Sequence, residues 1–268
     1  MRTRILESKM LPLLIFPYRF WLIVCHLVRT FKITIEWLFR SKEFTNFTYD
    51  LTPANKCYLA WFVASVCRVP VNEIFGYIDE LETNFRLSSY IRSRLALHRR
   101  GNEIHTQSFF GRRIGWYAIV RATKPSIVVE TGTELGLGSL VLAEALLKNM
   151  SGRLITIDMD PSSGLLIGPE YEGVIERITD DSLLTISKIK QIDLFIHDSD
   201  HSAKHESREL DLLPSRLTPD AIVISDNSHS TTELAVWSLR NNRNFMFFAE
   251  YPLNHWYRGA GIGASIRS

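Results

Sequence analysis

The sequence predicts an α/β fold, a doubly wound and mostly parallel seven-stranded sheet with an N-terminal helical extension. The first observation is the apolar run Ile127–Val129, which leads into a turn carrying Gly132, Gly136 and Gly138. The second is another short apolar run, which ends in Asp158. The third is that apolar runs and helical patterns alternate along the rest of the chain.

The elements predicted between residues 111 and 268 follow from this alternation. Asp193 is the one charged residue of the fourth strand, which is otherwise apolar enough to be buried on both faces. The motif Ser230-Thr-Thr-Glu233 predicts a capping box that begins the last helix. The predicted helices are 111–124, 138–149, 203–213 and 230–240, and the predicted strands are 127–129, 154–157, 173–178, 192–196, 221–224, 245–249 and 261–266.

The composition is that of a globular protein, with 268 residues, 46% hydrophobic and 22% charged residues. The net charge of +2 argues against nucleic acid as a partner. The three cysteines, Cys25, Cys57 and Cys67, are odd in number and lack metal-ligand spacing. This usage is typical of reduced thiols in a cytosolic protein.

Three regions are predicted: a basic apolar extension over 1–48, a helical lid or cap over 49–110, and the sheet domain over 111–268. The apolar run from Met10 to Val28 is interrupted by Pro17 and Arg19, which argues against a membrane-spanning helix. Its basic flanks, among them Arg2, Arg4 and Lys9, suit an amphipathic segment on an anionic membrane. The alternative is a helix packed on the core or on a second subunit, as in a homodimer. We therefore expect a cytoplasmic protein, either free or peripheral on the inner face of the membrane.

The helical region has a clear start at Thr52-Pro53, with proline in the first turn. A second helix is predicted over 71–86, with Phe75 and Phe85 among the apolar residues of its buried face. Helices that precede such a sheet serve either as core or as a lid over a ligand, and the pattern fits both.

Polar side chains follow the predicted strands where each strand ends. Ligands of open α/β sheets bind at the carboxyl ends of the strands, so these residues are expected to meet. Asp158 also lies 22 residues beyond Gly136, the spacing at which an acid contacts ribose hydroxyls. The strand-end residues are Glu130, Asp158, Asp180, Asp181, Ser182, Asp198, His201, Asp226 and Asn227.

The oxygen donors of Asp198, Asp226 and Asn227 suit a hard cation such as Mg²⁺. Asp and Asn also favour turns, so a turn without metal is the alternative for Asp226-Asn227. His201 is either a base or a helix-start histidine without a role.

The glycine order E-x-G-x-x-x-G-x-G resembles the first motif of class I S-adenosylmethionine (SAM)-dependent methyltransferases, not the dinucleotide fingerprint G-x-G-x-x-G. Asp198, the pair Asp226-Asn227 and His201 extend the likeness to the metal-dependent O-methyltransferases of the catechol type and of the sugar and macrolide type. The sugar-type enzymes have Asp where this chain has Asn227. The resemblance covers about residues 111–268.

The resemblance implies a Rossmann-like sheet, SAM as methyl donor and a divalent cation bound by Asp198, Asp226 and Asn227. His201 would be the general base. The glycine turn with Glu130 would shape the methionine end of SAM, and Asp158 would bind the ribose. The residues implied in SAM binding are Glu130, Gly132, Gly136, Gly138, Asp158, Asp181 and Ser182.

The function predicted in this way is SAM-dependent O-methylation of a hydroxyl on a sugar or secondary metabolite. A metal-free methyltransferase, an NAD(P)-binding oxidoreductase on a similar sheet and a non-catalytic membrane-associated module are the alternatives. The aromatic C-terminal stretch 250–263 is expected to be an acceptor-side or structural loop.

Overall fold

The computed structural model describes residues 11–43, 47–98 and 110–268, which form two compact units. The first unit comprises the described residues up to Lys42 together with Asn254–Tyr257. The second comprises the described residues of Glu43–Leu253 and Arg258–Ser268. The predicted basic residues Arg2, Arg4 and Lys9 lie outside the described residues, and the predicted boundary between residues 110 and 111 stays a prediction.

The first unit is built on one helix, α1, Leu11–Arg40. Near its C-terminal end the Trp37 ring lies edge-on to Trp256, with the ring centroids 5.2 Å apart. In the described part of the chain no single helix is long and apolar enough to cross a membrane, whereas one bent pair, Pro53–Cys67 with Val71–Glu82, meets that test by length and composition.

The second unit alternates helices and strands after an all-helical start. The helices are α2 (Pro53–Cys67), α3 (Val71–Glu82), α4 (Phe85–Ala96), α5 (Arg113–Thr123), α6 (Leu137–Asn149), α7 (Ser182–Lys188), α8 (Ala203–Leu212) and α9 (Glu233–Arg240). The strands are β1 (Ile127–Thr131), β2 (Arg153–Asp158), β3 (Ile175–Thr179), β4 (Ile192–His197), β5 (Leu217–Ser225), β6 (Arg243–Ala249) and β7 (Gly261–Arg267).

The seven strands form one sheet in the order β3-β2-β1-β4-β5-β7-β6. The strands from β3 to β5 are parallel, and β7 runs antiparallel to both of its neighbours. The predicted fold class is confirmed. Since β1 lies between β2 and β4, the strand order reverses beside β1, which is where open α/β sheets bind ligands.

The core of the sheet is built from strand residues that are buried on both faces. Phe195 and Val129 are fully buried beside Trp237 of α9. The charged residue of β4 has a structural explanation, because Asp193 Oδ2 accepts hydrogen bonds from the backbone N–H groups of Ser126 and Ile127, at 3.0 and 2.9 Å.

The helix predicted over 71–86 is wrong in its length. Asn84 caps a new helix, since its side chain accepts a hydrogen bond from Leu87 N at 2.9 Å, and α3 ends at Glu82. The break turns Phe85 outward, and both Phe85 and Phe75 are exposed. The buried face of α3 consists of Ile74, Ile78 and Leu81.

The predicted capping box at 230–233 is also wrong. The helix α9 begins at Glu233, after Thr232, whose side chain makes no capping bond. Ser230 belongs instead to a turn, in which its backbone N–H bonds to Asn227 O at 2.8 Å. Asn227 occupies the left-handed region with φ 55°, and this turn delays the start of the helix.

Candidate functional site

A cleft of about 410 Å³ opens at the carboxyl edge of the sheet. Residues that follow β1, β2, β3 and β4 line it, as the register of parallel strands dictates. Those that the sequence singled out are Gly132, Asp158, Asp180, Asp181, Ser182 and Asp198. Glu134, Ser199, Asp200 and His205 line it as well.

Gly132 brings the end of β1 against the end of β4. Its φ is +89°, and a Cβ at this position would overlap the carbonyl oxygen of Asp198. Asp198 N in turn donates to Thr131 O at 2.9 Å. Only glycine allows this approach, which places the turn and Asp198 on the same cleft.

Asp158 is fixed by backbone bonds on both oxygens. Oδ2 accepts from Glu134 N and Oδ1 from Asp160 N, each at 2.9 Å. The carboxylate is half-buried at the cleft wall. It is therefore held in one orientation, with lone pairs left for a ligand hydroxyl.

Asp181 has a structural role beside its place in the cleft. It is the N-cap of α7, and its Oδ1 accepts from Leu183 N at 2.7 Å and Leu184 N at 3.2 Å. The buried Ser182 lies 3.3 Å from His205 Nε2. The N-terminus of α7 is therefore held at one wall of the cleft by the Asp181 cap and by the contact between Ser182 and His205.

Glu130 is buried beneath the glycine turn, where its carboxylate accepts hydrogen bonds from Ser139 and Thr156. Burial raises the pKa of Glu130 to about 7, against the lowering effect of the two hydroxyls. Gly138 adjoins it, since a Cβ there would lie 2.6 Å from Glu130 Oε1. Gly136 is the N-cap of α6. Glu130 and Gly138 therefore support the turn from beneath.

An acidic cluster lies beside the cleft. One ligand atom each of Asp198, His201 and Asp226 lies within 4.8 Å of the other two. No other group of three His, Cys, Asp or Glu residues comes together in this way over the described ranges. Asn227 Nδ2 lies 2.8 Å from His201 Nε2, so Asn227 reaches the cluster through the histidine.

Arg112 was missed by the sequence prediction and pairs with Asp226. Its Nε also lies 3.8 Å from Glu250 Oε1, and Glu250 accepts a 2.7 Å hydrogen bond from the Tyr49 hydroxyl. The Arg112 side chain lies between these two buried acids and is itself only 11% exposed. One arginine thus offsets part of the negative charge of the cluster.

Without a bound cation, the pKa values of Asp198, Asp226 and His201 are shifted by burial and by their neighbours. Burial and the neighbouring Asp226 raise the pKa of Asp198 well above its ordinary value. Burial by itself acts to raise the pKa of Asp226, but Arg112, Asp198 and Arg113 together outweigh it and the pKa is lowered. Burial lowers the pKa of His201, so its imidazole is neutral at neutral pH.

The donor set fits a divalent cation. Asp226 Oδ1 is buried without a hydrogen-bond partner, although Arg112 occupies Oδ2. His201 Nδ1 is buried and unpartnered as well. The two carboxylates are ligands that Mg²⁺ or Mn²⁺ accepts, whereas an imidazole suits zinc, copper, iron or nickel.

A second buried network, also missed by the sequence prediction, lies behind the cleft. The Glu209 carboxylate of α8 accepts from Thr131 Oγ1 at 2.9 Å and contacts His197 Nδ1 at 2.7 Å and His205 Nε2 at 3.0 Å. These contacts tie α8 to the carboxyl ends of β1 and β4. Glu209 thereby supports the backbone that presents Asp198.

The structure thus brings together Asp198, His201, Asp226 and Asn227 in one cluster. It places Gly132, Asp158, Asp181 and Ser182 along the adjoining cleft. The signal that could have pointed to Arg112 is the basic pair Arg112-Arg113 at the start of a mostly apolar helix. No sequence pattern singled out Glu209, which only the structure shows to be one of two buried acids of α8.

The comparisons with known proteins agree with this architecture. Residues 129–228 match a family model described as a methyltransferase domain. A methyltransferase from Geobacter sulfurreducens shares the fold with a TM-score of 0.53 at 19% identity, over 67% of this chain and 90% of its own. An S-adenosylhomocysteine (SAH)-bound methyltransferase from Podospora anserina gives a TM-score of 0.50 at 11% identity, over 68% and 87%. No curated protein is significantly similar in sequence.

The matched residues run from β1 to the turn after β5, and so include the glycine turn, Asp158, Asp198 and Asp226. They also favour the methyltransferase interpretation over a nicotinamide-dependent oxidoreductase, in agreement with the order of the glycines. The chain therefore has an α/β methyltransferase fold, and residues 129–228 match the model of a methyltransferase domain.

Proposed function

We propose that the protein is a SAM-dependent O-methyltransferase in which a divalent cation orients the acceptor and His201 is the general base. The observation that carries the proposal is that Asp198 belongs both to the cleft and to the acidic cluster. A donor bound in the cleft would therefore adjoin an acceptor bound at the cluster. That adjacency is what a methyl transfer needs.

In the proposed reaction the acceptor hydroxyl loses its proton to His201, and the oxygen attacks the methyl carbon of SAM in line with sulfur. The new O–C bond forms as the C–S bond breaks, and the electron pair remains on sulfur, which leaves SAH. The lowered pKa of His201 supports its role, because a base must be unprotonated before the reaction.

Asp198 and Asp226 would hold the cation, with Asn227 or His201 as a further ligand. When bound it would act as a Lewis acid that lowers the pKa of the acceptor hydroxyl. Arg112 holds Asp226 Oδ2 in place and leaves Oδ1 for this role. His201 serves either as ligand or as base at any one time, and Asn227, in contact with Nε2, orients the ring.

For the donor, we propose that Asp158 binds the ribose hydroxyls and that Asp181 and Ser182 lie on the adenine side. The fixed carboxylate of Asp158 supports the first assignment. Glu130, Gly132, Gly136 and Gly138 shape the turn around the methionine end. For the acceptor we propose a hydroxyl of a sugar or secondary metabolite, because the sugar and macrolide enzymes also carry a histidine three residues after the first Asp.

A metal-free methyltransferase is the second candidate, and Arg112 is the observation that favours it. The guanidinium already pairs with Asp226, so the cluster has one compensating charge without a cation. Asp198 would then share its proton with Asp226. In this form Asp198 and Asp226 would bind the acceptor by hydrogen bonds.

The test measures SAH formation from SAM over a panel of sugar and phenolic hydroxyl acceptors, with EDTA and with added Mg²⁺. We expect turnover that EDTA abolishes and Mg²⁺ restores. Asp198→Asn and His201→Gln should each lower kcat/KM by about 100-fold or more. Asp211→Asn, an exposed change on α8, should leave it unchanged.

Binding of Mn²⁺, followed by electron paramagnetic resonance, separates the two candidates without an acceptor. Stoichiometric binding that Asp198→Asn removes would support the metal-dependent form. Turnover that EDTA does not affect, in a protein that binds no Mn²⁺, would support the metal-free methyltransferase and contradict the metal-dependent one. SAH formation that persists in both variants would contradict the proposed roles of Asp198 and His201.

A further inference from the structure

The helix α1 carries an unusual amount of exposed apolar surface. Almost half of the large exposed hydrophobic side chains in the described part of the chain lie on it. They include Leu13, Phe16, Phe20, Trp21, Val24, Leu27, Val28, Phe31, Leu38 and Phe39. Exposed apolar surface that is continuous over one element marks an interaction site.

Part of this surface forms an apolar stripe along one face. This apolar stripe consists of six exposed side chains that are three, four or seven residues apart: Leu13, Phe20, Val24, Leu27, Phe31 and Leu38. Side chains at these spacings share one face of a helix. Over 30 residues the helix is about 45 Å long, so the stripe extends along most of its length.

The charges of α1 are mainly positive. Arg19, Arg29, Lys32 and Arg40 are basic, and Glu36 is the only acidic residue of the helix. Glu36 lies 4.0 Å from Lys32, where both side chains are exposed and the pair neutralises little. The helix therefore offers an apolar face with an excess of positive charge around it.

The positive charge of α1 distinguishes between two partners that could cover the stripe, a second copy of α1 and an anionic lipid bilayer. A second copy of α1 would bring two helices of the same excess charge together, whether they ran parallel or antiparallel, and like charges across an interface cost stability. An anionic bilayer supplies both an apolar interior for the phenylalanines and negative headgroups for the basic residues. Charge complementarity therefore favours the bilayer.

We propose that α1 docks the protein on the surface of an anionic lipid bilayer, with the apolar stripe buried among the acyl chains and the basic residues at the headgroups. Arg19, in the first half of the helix, suits this placement because a helix in the interface keeps its charged groups at the polar boundary. The exposed Trp21 is a residue type that membrane interfaces favour. The proposal does not depend on the methyl acceptor.

The experiment uses the full chain and co-sedimentation with vesicles. One set is pure phosphatidylcholine, and the other contains phosphatidylserine and phosphatidylcholine at a ratio of about 3:7. We expect binding to the anionic vesicles that is at least about tenfold tighter than to the neutral ones, and that weakens as salt is added. Equal binding to both sets, or none to either, would overturn the proposal.

Variants assign the effect to α1. Phe20→Glu with Phe31→Glu should abolish vesicle binding, and Arg29→Glu with Lys32→Glu should weaken it about tenfold or more. Leu239→Glu, at a still more exposed apolar position on α9, is the matched control and should bind as the unaltered protein does. Circular dichroism confirms that each variant is folded.

Light scattering distinguishes the second occupant. A dimer in solution that Phe20→Glu with Phe31→Glu converts to a monomer, without any vesicle binding by the unaltered chain, would assign the stripe to a second copy and overturn the membrane proposal. A monomer that binds anionic vesicles through α1 supports it.

Discussion

At the scale of single residues, the close approach of two strand ends depends on Gly132. Gly132→Ala forces a Cβ against the Asp198 carbonyl in a backbone region that alanine avoids. We expect a loss of more than about 1 kcal/mol in the free energy of unfolding. Urea denaturation measures it. Gly173→Ala, where a Cβ meets nothing within 4 Å, should change stability by less than about 0.5 kcal/mol, and equal effects would contradict this account.

Arg112 is the residue whose charge the cluster depends on. Arg112→Gln leaves the buried Asp226 without its counter-charge, and breaking a buried ion pair costs about 3–5 kcal/mol. Thermal or urea unfolding would show the loss. The exposed pair of Arg153 and Glu176 provides the comparison, since Arg153→Gln should cost less than about 1 kcal/mol. A loss no larger for Arg112 than for Arg153 would mean that Asp226 is solvated.

At the scale of elements, α8 supports the site through Glu209. Glu209→Gln keeps the size of the side chain but removes the charge that His197 and His205 contact, and we expect a loss of about 3 kcal/mol. Asp211→Asn, an exposed change on the same helix, should cost less than about 0.5 kcal/mol.

The pH dependence of this loss follows from two pKa shifts. Burial by itself raises the pKa of Glu209, but the hydrogen bonds from His197 and His205 outweigh it and lower the pKa. The stability from Glu209 is present above its ordinary pKa of 4.5 and is lost as pH falls through the lowered value. The Glu209 hydrogen bond raises the pKa of His205, whose contribution is present below 6.5 and is lost as pH rises through the raised value.

The difference in unfolding free energy between the unaltered protein and Glu209→Gln should therefore be largest between pH 4.5 and 6.5. Urea unfolding at a series of pH values measures it. A difference that stays constant from pH 3 to 8, roughly the range over which both groups titrate, would show that the carboxylate is not coupled to the histidines.

At the scale of the whole molecule, the sequence predicted the parts that obey periodicity and strand order. Asp158, Asp181 and Asp198 could be placed at one edge because parallel strands end at the same side of a sheet. Arg112 and Glu250 could not be paired with the site, because they lie far apart in sequence; Arg112 contacts Asp226 and Glu250 contacts Arg112 only in the folded chain. No local pattern encodes such a contact.

Two helix boundaries also could not be predicted from local sequence patterns. The apolar periodicity extends past Thr83 and Asn84, which predicted one helix. In the structure the first helix ends before them, and the side chain of Asn84 caps the start of a second helix. The Ser230–Glu233 motif fits the sequence rule for a capping box. In the structure, Ser230 instead belongs to the turn at the left-handed Asn227, so it cannot cap the helix. In both places a short polar side chain decided between two conformations that the pattern allowed equally.

We propose that the cleft beside Gly132 and Asp158 binds SAM. The most direct test is calorimetric titration of the full chain with SAH, with NADH as the competing ligand class. We predict one site per chain for SAH, no heat from NADH, at least tenfold weaker binding of SAH to Asp158→Ala, or about 1.4 kcal/mol, and no change for Asp211→Asn. Absence of SAH binding, or an affinity that Asp158→Ala leaves unchanged, would contradict the account.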